Sequence, residues 1–282
     1  QGGNAVSVGI YAGQTSQGGS GIAIGNSAGK TSQAEYGLAV GYLAGNTGQL
    51  GNTVAVGRSA GNATQGSNSV AVGYVAGETT QGGNSVAIGY QTGRTAQGAS
   101  SVAVGDQAAQ TTQGASSVAV GIQSGQTTQG TGSVAVGEQA GNADQSDYAV
   151  AVGRHAGKVS QGLNGIGIGY YAGRESQADY AVAIGREAGK ATQGGSSVAV
   201  GNLAGQVTQG EQSVAVGALA GQTTQGDNAI AVGNRAGATS QGANGIIINS
   251  TGAVLDDTTA GHIHIASDDA SLDYTGAAGW SI

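Results

Sequence analysis

The stretch SVAVGIQSGQTTQG, Ser117–Gly130, decides the fold, because the chain repeats it with small changes every sixteen residues. Sixteen residues upstream stands SVAVGDQAAQTTQG, and sixteen downstream SVAVGEQAGNADQS. The five-residue apolar unit is AVSVG at 5, GIAIG at 21, GLAVG at 37 and TVAVG at 53, and continues without insertion to AIAVG at 229. A degenerate GIIIN follows at 245. A period that never drifts means that each copy is one identical geometric step.

Copies within one chain solve the same packing problem, so their columns can be compared. Glycine closes each apolar unit, from Gly9 through Gly121 to Gly233. Glutamine fills one column throughout, Gln1, Gln17 and onward to Gln241. An Ala-Gly pair dominates a third, as at Ala76-Gly77, with exceptions at Thr92, Ala109 and Ser124. The two positions after the closing glycine vary freely and are expected to face water.

The β-branched, glycine-bounded unit SVAVG favours a strand. Glycine at this density would cost a helix about 1 kcal/mol at each interior site. The GxTTQG segment supplies a second short extended piece and a turn. Two short strands and two tight turns make one coil of an all-β parallel β-solenoid, a β-roll of 16-residue coils. Neighbouring coils then hydrogen-bond about 4.8 Å apart, giving a rod on the order of 75 Å long. Residues 1–249 form the repeat shaft and 250–282 a β-rich C-terminal cap. In the glutamine column, Gln81, Gln97, Gln113 and Gln129 are expected to stack as an amide ladder that also satisfies turn backbone.

Composition fits a narrow interior: 57 Gly, one Trp, and no Phe, Met, Pro or Cys. The net charge is −7, and Asp256, Asp257, Asp268, Asp269 and Asp273 concentrate much of it in the tail. No basic face is offered to nucleic acid, and no apolar run long enough for a membrane helix exists. The start, QGGNAVSVG, is no signal peptide and lies in mid-repeat, as expected of a fragment or processed product.

The unit SVAVG does not alternate apolar with polar. Val118 and Val120 share one face, and Ser117, Ala119 and Gly121 the other, and both avoid charge in nearly every copy. That pattern suits a strand buried on both sides. The small-residue face is expected to meet identical chains closely, as a homotrimer about the rod axis. A single-chain two-layer solenoid is the other way to satisfy it.

NSVAIG at 84–89 and NSVAVG at 68–73 resemble the head repeat of trimeric autotransporter adhesins. Similar repeats occur in the tail fibres of bacteriophages and other large DNA viruses. The resemblance covers about residues 1–249. It implies a left-handed parallel β-roll in three-chain bundles, although this repeat is two residues longer than the usual adhesin one. No heptad stalk or membrane-anchor strands are present, and the tail resembles the strand-rich segment that follows such repeats in viral fibres. The expectation is a structural shaft or distal segment of a trimeric viral fibre, extracellular or on the virion, that presents or contacts a host receptor or glycan. A bacterial surface adhesin head is the alternative, and an ice-binding solenoid a third reading. The last rests on Thr79, Thr95, Thr111 and Thr127, a run broken by Val159, Glu175 and Ala191.

Candidate chemistry is sparse. GNSAGKT at 25–31 imitates a phosphate loop but has Ile24 where a glycine is needed. GIGIG at 165–169 lacks the strand–helix context of a dinucleotide fingerprint. His262 and His264 share one face of an extended strand, and three chains would bring six imidazoles together, which suits a transition metal. Tyr74 and Tyr90 occupy one column on adjacent coils, a flat aromatic ladder able to pack against a sugar. Glu138, Arg154, Tyr170 and Arg186 form a similar column suited to ion pairing and cation–π contact. The tail carboxylates Asp256, Asp257, Asp268 and Asp269 would bind Ca²⁺, act as a hydrolytic pair or, more simply, solvate a cap. No catalytic constellation emerges, so no enzyme is expected.

Overall fold

The computed structural model describes residues 1–267 and the backbone of Ser271–Tyr274 and Trp280–Ser281. The described residues form an all-β parallel β-solenoid of 16-residue coils with no helix. They divide into two compact units, Gln1–Asp147 and Tyr148–Ile282, so a boundary falls within the repeats.

Each coil has a strand on the apolar unit and a shorter strand ending on the glutamine. In the first unit, the apolar strands run from Val6–Val8 to Val134–Val136, parallel and in register, with Ala119 paired to Ala103 and Ala135. The glutamine-bearing strands, Thr15–Gln17 through Ala143–Gln145, form the opposite sheet, with Gln129 paired to Gln113 and Gln145. The second unit repeats this from Val150–Val152 to Ile246–Asn249 and from Val159–Gln161 to Ala236–Gln241.

The interior between the sheets is filled by the smallest residues. Ser117, Ala119 and Ser124 are fully buried, as are Ala23, Ala39, Ala183 and Ala199 in their own coils. The glutamine reaches across from the opposite sheet, and Gln129 is 1% exposed. Val118 and Val120 point outward and are only half-buried. This reverses the expected polarity of the strand: the small-residue face lines the coil, and the branched residues are left on the outside. The cause is thickness. With a glutamine side chain spanning the gap, only small residues fit opposite it, mostly Ser, Ala and Gly, with Thr at Thr53 and Thr92.

Two glycine columns have distinct causes. Gly121 has φ +127°, and a Cβ there would lie 2.6 Å from the Gly137 carbonyl oxygen of the next coil. At Gly125, φ is +51° and a Cβ would meet Gln129 Oε1 at 2.8 Å. The first column lets coils approach; the second makes room for the glutamine.

The variable corner behaves unexpectedly. The second residue after the closing glycine is left-handed in every coil, including Val75 at φ 59° and His155 at φ 57°, and both are buried. The first of the two variable positions is exposed in nearly every coil, whereas the second is buried or half-buried except at Tyr11 and Arg235. The turn before the glutamine differs between coils and largely follows the preceding residue, although Ala96 and Ser240 are not left-handed. Ser16, Ser32, Gly48, Asp144, Ser160 and Ser176 are left-handed and sit in three-residue strands, whereas Thr at 64, 80, 112 and 128 is not and leaves a two-residue strand. β-Branching disfavours that backbone region.

The parallel stacking ends in the tail. Ile263–Ala266 pairs in parallel with Ile246–Asn249, then Ser271–Tyr274 and Trp280–Ser281 add antiparallel strands. Ile247, 1% exposed, replaces the interior alanine at the end of the shaft. Asn249 Nδ2 donates to the Asn234 and Ala253 carbonyls and fixes the exit loop.

Candidate functional site

The most extensive surface feature is the outward side of the apolar strands. Two columns run along each unit: Ile22, Leu38 and Val54 continue one, and Ile24, Val40 and Val56 the other. In the second unit the equivalents are Ile166, Val182 and Val198, with Ile168, Ile184 and Val200. Ile24, Ile88, Ile168 and Ile184 are 37–40% exposed. Scattered apolar residues on a surface carry no message, whereas contiguous columns such as these are a candidate interaction face.

The glutamine column is an internal strut first and a ladder second. In each coil from Gln17 to Gln241, Nε2 donates to the carbonyl eleven residues earlier, on the opposite strand. Gln81, Gln97, Gln113 and Gln129 do so to Val70, Val86, Val102 and Val118 at 2.7–2.9 Å. Among these four, an amide-to-amide bond joins Gln113 Nε2 to Gln129 Oε1, at 3.2 Å. A continuous ladder exists in the second unit, where each glutamine from Gln161 to Gln225 donates to the next. In the first unit the buried Oε1 atoms of Gln33, Gln49, Gln81, Gln97 and Gln113 have no side-chain hydrogen bond.

The flank carries the aromatic and charged residues. Tyr74 and Tyr90 stack with centroids 5.2 Å apart and planes within 9°. The Arg58 guanidinium lies 5.4 Å from the Tyr74 ring and 5.9 Å from Tyr42, so one face of the ladder is occupied by a cation. Farther along, in the second unit, Arg154 lies 5.9 Å over Tyr170, and Tyr170 meets Tyr171 edge-on at 4.2 Å. The Tyr171 hydroxyl accepts from Tyr170 and holds that phenol above its ordinary 10.0. His155 stacks flat on Tyr171 at 4.8 Å. Glu187, in the same column, takes Lys190 at 2.9 Å and Arg186 at 3.1 Å. Those cations, Lys190 first, keep its carboxyl below the usual 4.5. Sequence reasoning placed Arg154, Tyr170 and Arg186 in one column but missed the second column, because it treated that corner as featureless solvent-facing surface.

In the tail, the His262 ring Nδ1 is engaged by the Asp257 carboxylate. His264 is in register with Ile247 and so extends the inward column, while Ile263 and Ile265 extend the two outward columns. The pair therefore does not fit a metal shared across the apolar face: that face is met by isoleucines, and one imidazole is already held. Among the described residues, no group of three or more His, Asp or Glu side chains gathers to hold a metal. Asp256 accepts from the Thr239 and Ser240 amides at 2.8 and 3.2 Å and is a backbone clamp. Asp268 and Asp269 lie outside the described residues. No described helix is long and apolar enough to cross a membrane.

No protein-family model, curated protein or solved structure matches this chain. The case for its role rests on its own columns.

Proposed function

We propose that this chain is a structural shaft or distal segment of a homotrimeric viral fibre, such as that of a bacteriophage, which serves host attachment from the virion surface. The observation that carries the reading is the pair of outward Val/Ile columns. They run coil after coil beside an alanine-filled interior, and among the described residues they stay half-buried or exposed. A strand of three residues is only about 10 Å wide. A face that narrow and that continuous is suited to burial against copies of itself, where each contact repeats with every coil. Such an assembly acts mechanically. Backbone pairing along each chain and apolar contact between chains stiffen a spacer whose flanks remain free for a receptor or glycan. A bacterial adhesin head would use the same architecture, and the resemblance at Asn84–Gly89 serves both origins.

The test compares charge placed on two sides of one coil. Val120→Asp, on the outward apolar column, is expected to reduce the sedimenting species to a single chain. Thr127→Asp, exposed just before the opposite strand, is expected to leave it intact. Equal behaviour of the two variants would overturn the reading.

A further inference from the structure

The basic residues are distributed unevenly. Five of the nine, Arg154, Lys158, Arg174, Arg186 and Lys190, fall in the three coils 148–195, which hold three of the sixteen acids. Those coils therefore carry +2, and the rest of the chain, with four basic and thirteen acidic residues, carries −9. This is a local reversal of sign on an acidic protein.

The five cations occupy one flank. Arg154 and Arg186 share the first variable column with Tyr170 between them, and Lys158, Arg174 and Lys190 share the column after the Ala-Gly pair. Tyr171, next to Tyr170, is touched by the second of these columns: Arg174 lies 4.8 Å from its ring centroid and Lys190, one coil on, 5.6 Å. Two carboxylates, Glu175 and Glu187, stand among them, and Glu138 precedes Arg154, Tyr170 and Arg186 in their column. The cations remain reachable. The Arg186 side chain is 64% exposed, and those of Arg174 and Lys190 are 31% exposed. Arg174 Nε, by contrast, is buried without an acceptor. Tyr170 is itself 38% exposed, so an aromatic ring lies open beside the charges.

We infer that this flank of the second unit binds an anionic saccharide, with the cations taking carboxylate or sulfate groups and Tyr170 taking the apolar face of a sugar ring. Three features support a saccharide over other anions. The cations recur at the coil spacing of about 4.8 Å, close to the advance of one sugar residue along an extended glycan. Aromatic and cationic groups alternate, which matches a ligand bearing both ring faces and acidic groups. The patch is short and the rest of the chain carries −9, which would repel the long phosphate backbone of a nucleic-acid duplex. The equivalent flank of the first unit carries Arg58 between Tyr42 and Tyr74, but its basic residues, Lys30, Arg58 and Arg94, stand singly in separate coils, and its later coils carry no basic residue. There Gln107, Gln123 and Gln139 each donate to the glutamine one coil earlier, a neutral amide network with its hydrogen bonds already used. This proposal goes beyond the fibre reading and depends on it only for a biological setting.

Binding is measured with the full chain by titration of fluorescent hexasaccharides: one sulfated, one carrying carboxylates alone, one neutral, with a short DNA duplex alongside. At least one anionic saccharide is expected to bind, the neutral one not, and raising salt from about 0.05 to 0.3 M should weaken binding severalfold. The combined Arg154→Gln, Lys158→Gln and Arg186→Gln variant should lose about tenfold or more, roughly two- to threefold per exposed contact. Lys30→Gln, Arg58→Gln and Arg94→Gln, the same charge change in the first unit, should retain wild-type binding. The sulfated and carboxylated probes identify which acid is read. Lys158→Gln alone serves if the triple variant does not fold. No anionic binding, equal losses in the two triple variants, equal binding of the neutral sugar, or tighter binding of the duplex would each overturn the proposal. Sedimentation of the same samples reports assembly separately, so a failed site is distinguishable from a failed fibre reading.

Discussion

Gln129 Nε2 lies 2.8 Å from the Val118 carbonyl oxygen, so one side chain ties the two strands of its coil together through the interior. The same bond recurs from Gln17–Val6 to Gln241–Ile230. Asparagine is one methylene too short for this reach, and glutamate has no proton to give when ionised.

Gln129→Leu should therefore destabilise by about 1–3 kcal/mol, since it removes the interior hydrogen bond to the Val118 carbonyl. Gln129→Glu should cost more, because an unpaired carboxylate would then be buried. Chemical denaturation of the two variants checks the order, and a neutral effect of either would argue against the strut.

Ala109 stands where nearly every other coil has glycine, at φ 47° and fully buried. Left-handed backbone costs an L-residue about 1–2 kcal/mol. Ala109→Gly should stabilise by roughly 0.5–1 kcal/mol after the extra entropy of the unfolded glycine is counted. The reverse change, Gly125→Ala, should destabilise by more, since its Cβ would press on Gln129 Oε1. Thermal melts of both variants decide the matter.

Asp257 links the cap to pH. Burial pushes its carboxyl up, but the Thr259 amide at 2.9 Å and the His262 ring outweigh this and hold it below its ordinary 3.8. A folded value below the unfolded one means a stabilisation present above about 3.8 and lost as pH falls through that value and on through the folded one. Asp257→Asn should abolish that part of the acid sensitivity. Acid titration of the cap, followed through Trp280 fluorescence, is the check; identical acid profiles would contradict it.

Exposed threonines such as Thr111, Thr112, Thr127 and Thr128 form a ladder on the glutamine-bearing sheet. It breaks at Val159 and Glu175. No thermal hysteresis is expected, and a measurable value would favour ice binding over the fibre reading.

The sixteen-residue step, both strands and the glycine columns were legible because each leaves a fixed column in the sequence. The direction of the apolar strand was not. SVAVG carries apolar or small residues on both sides, and composition alone cannot say which set fills the coil. That choice is made by the glutamine, whose length leaves room only for Ala119 and Ser117 opposite it. The corner residues were misread for a related reason: Val75 and His155 adopt left-handed backbone because neighbouring turns impose it, which no local propensity announces. The functional flank was half legible. Column arithmetic aligned Arg154, Tyr170 and Arg186, while the ring of contacts around Tyr171 depends on which way the corner turns.

The account depends most on the outward valines and isoleucines being covered by sister chains. Light scattering of the purified chain at neutral pH measures this directly. A mass three times the 26.9 kDa of one chain is the predicted result, and a species of 26.9 kDa across the concentration range would contradict it.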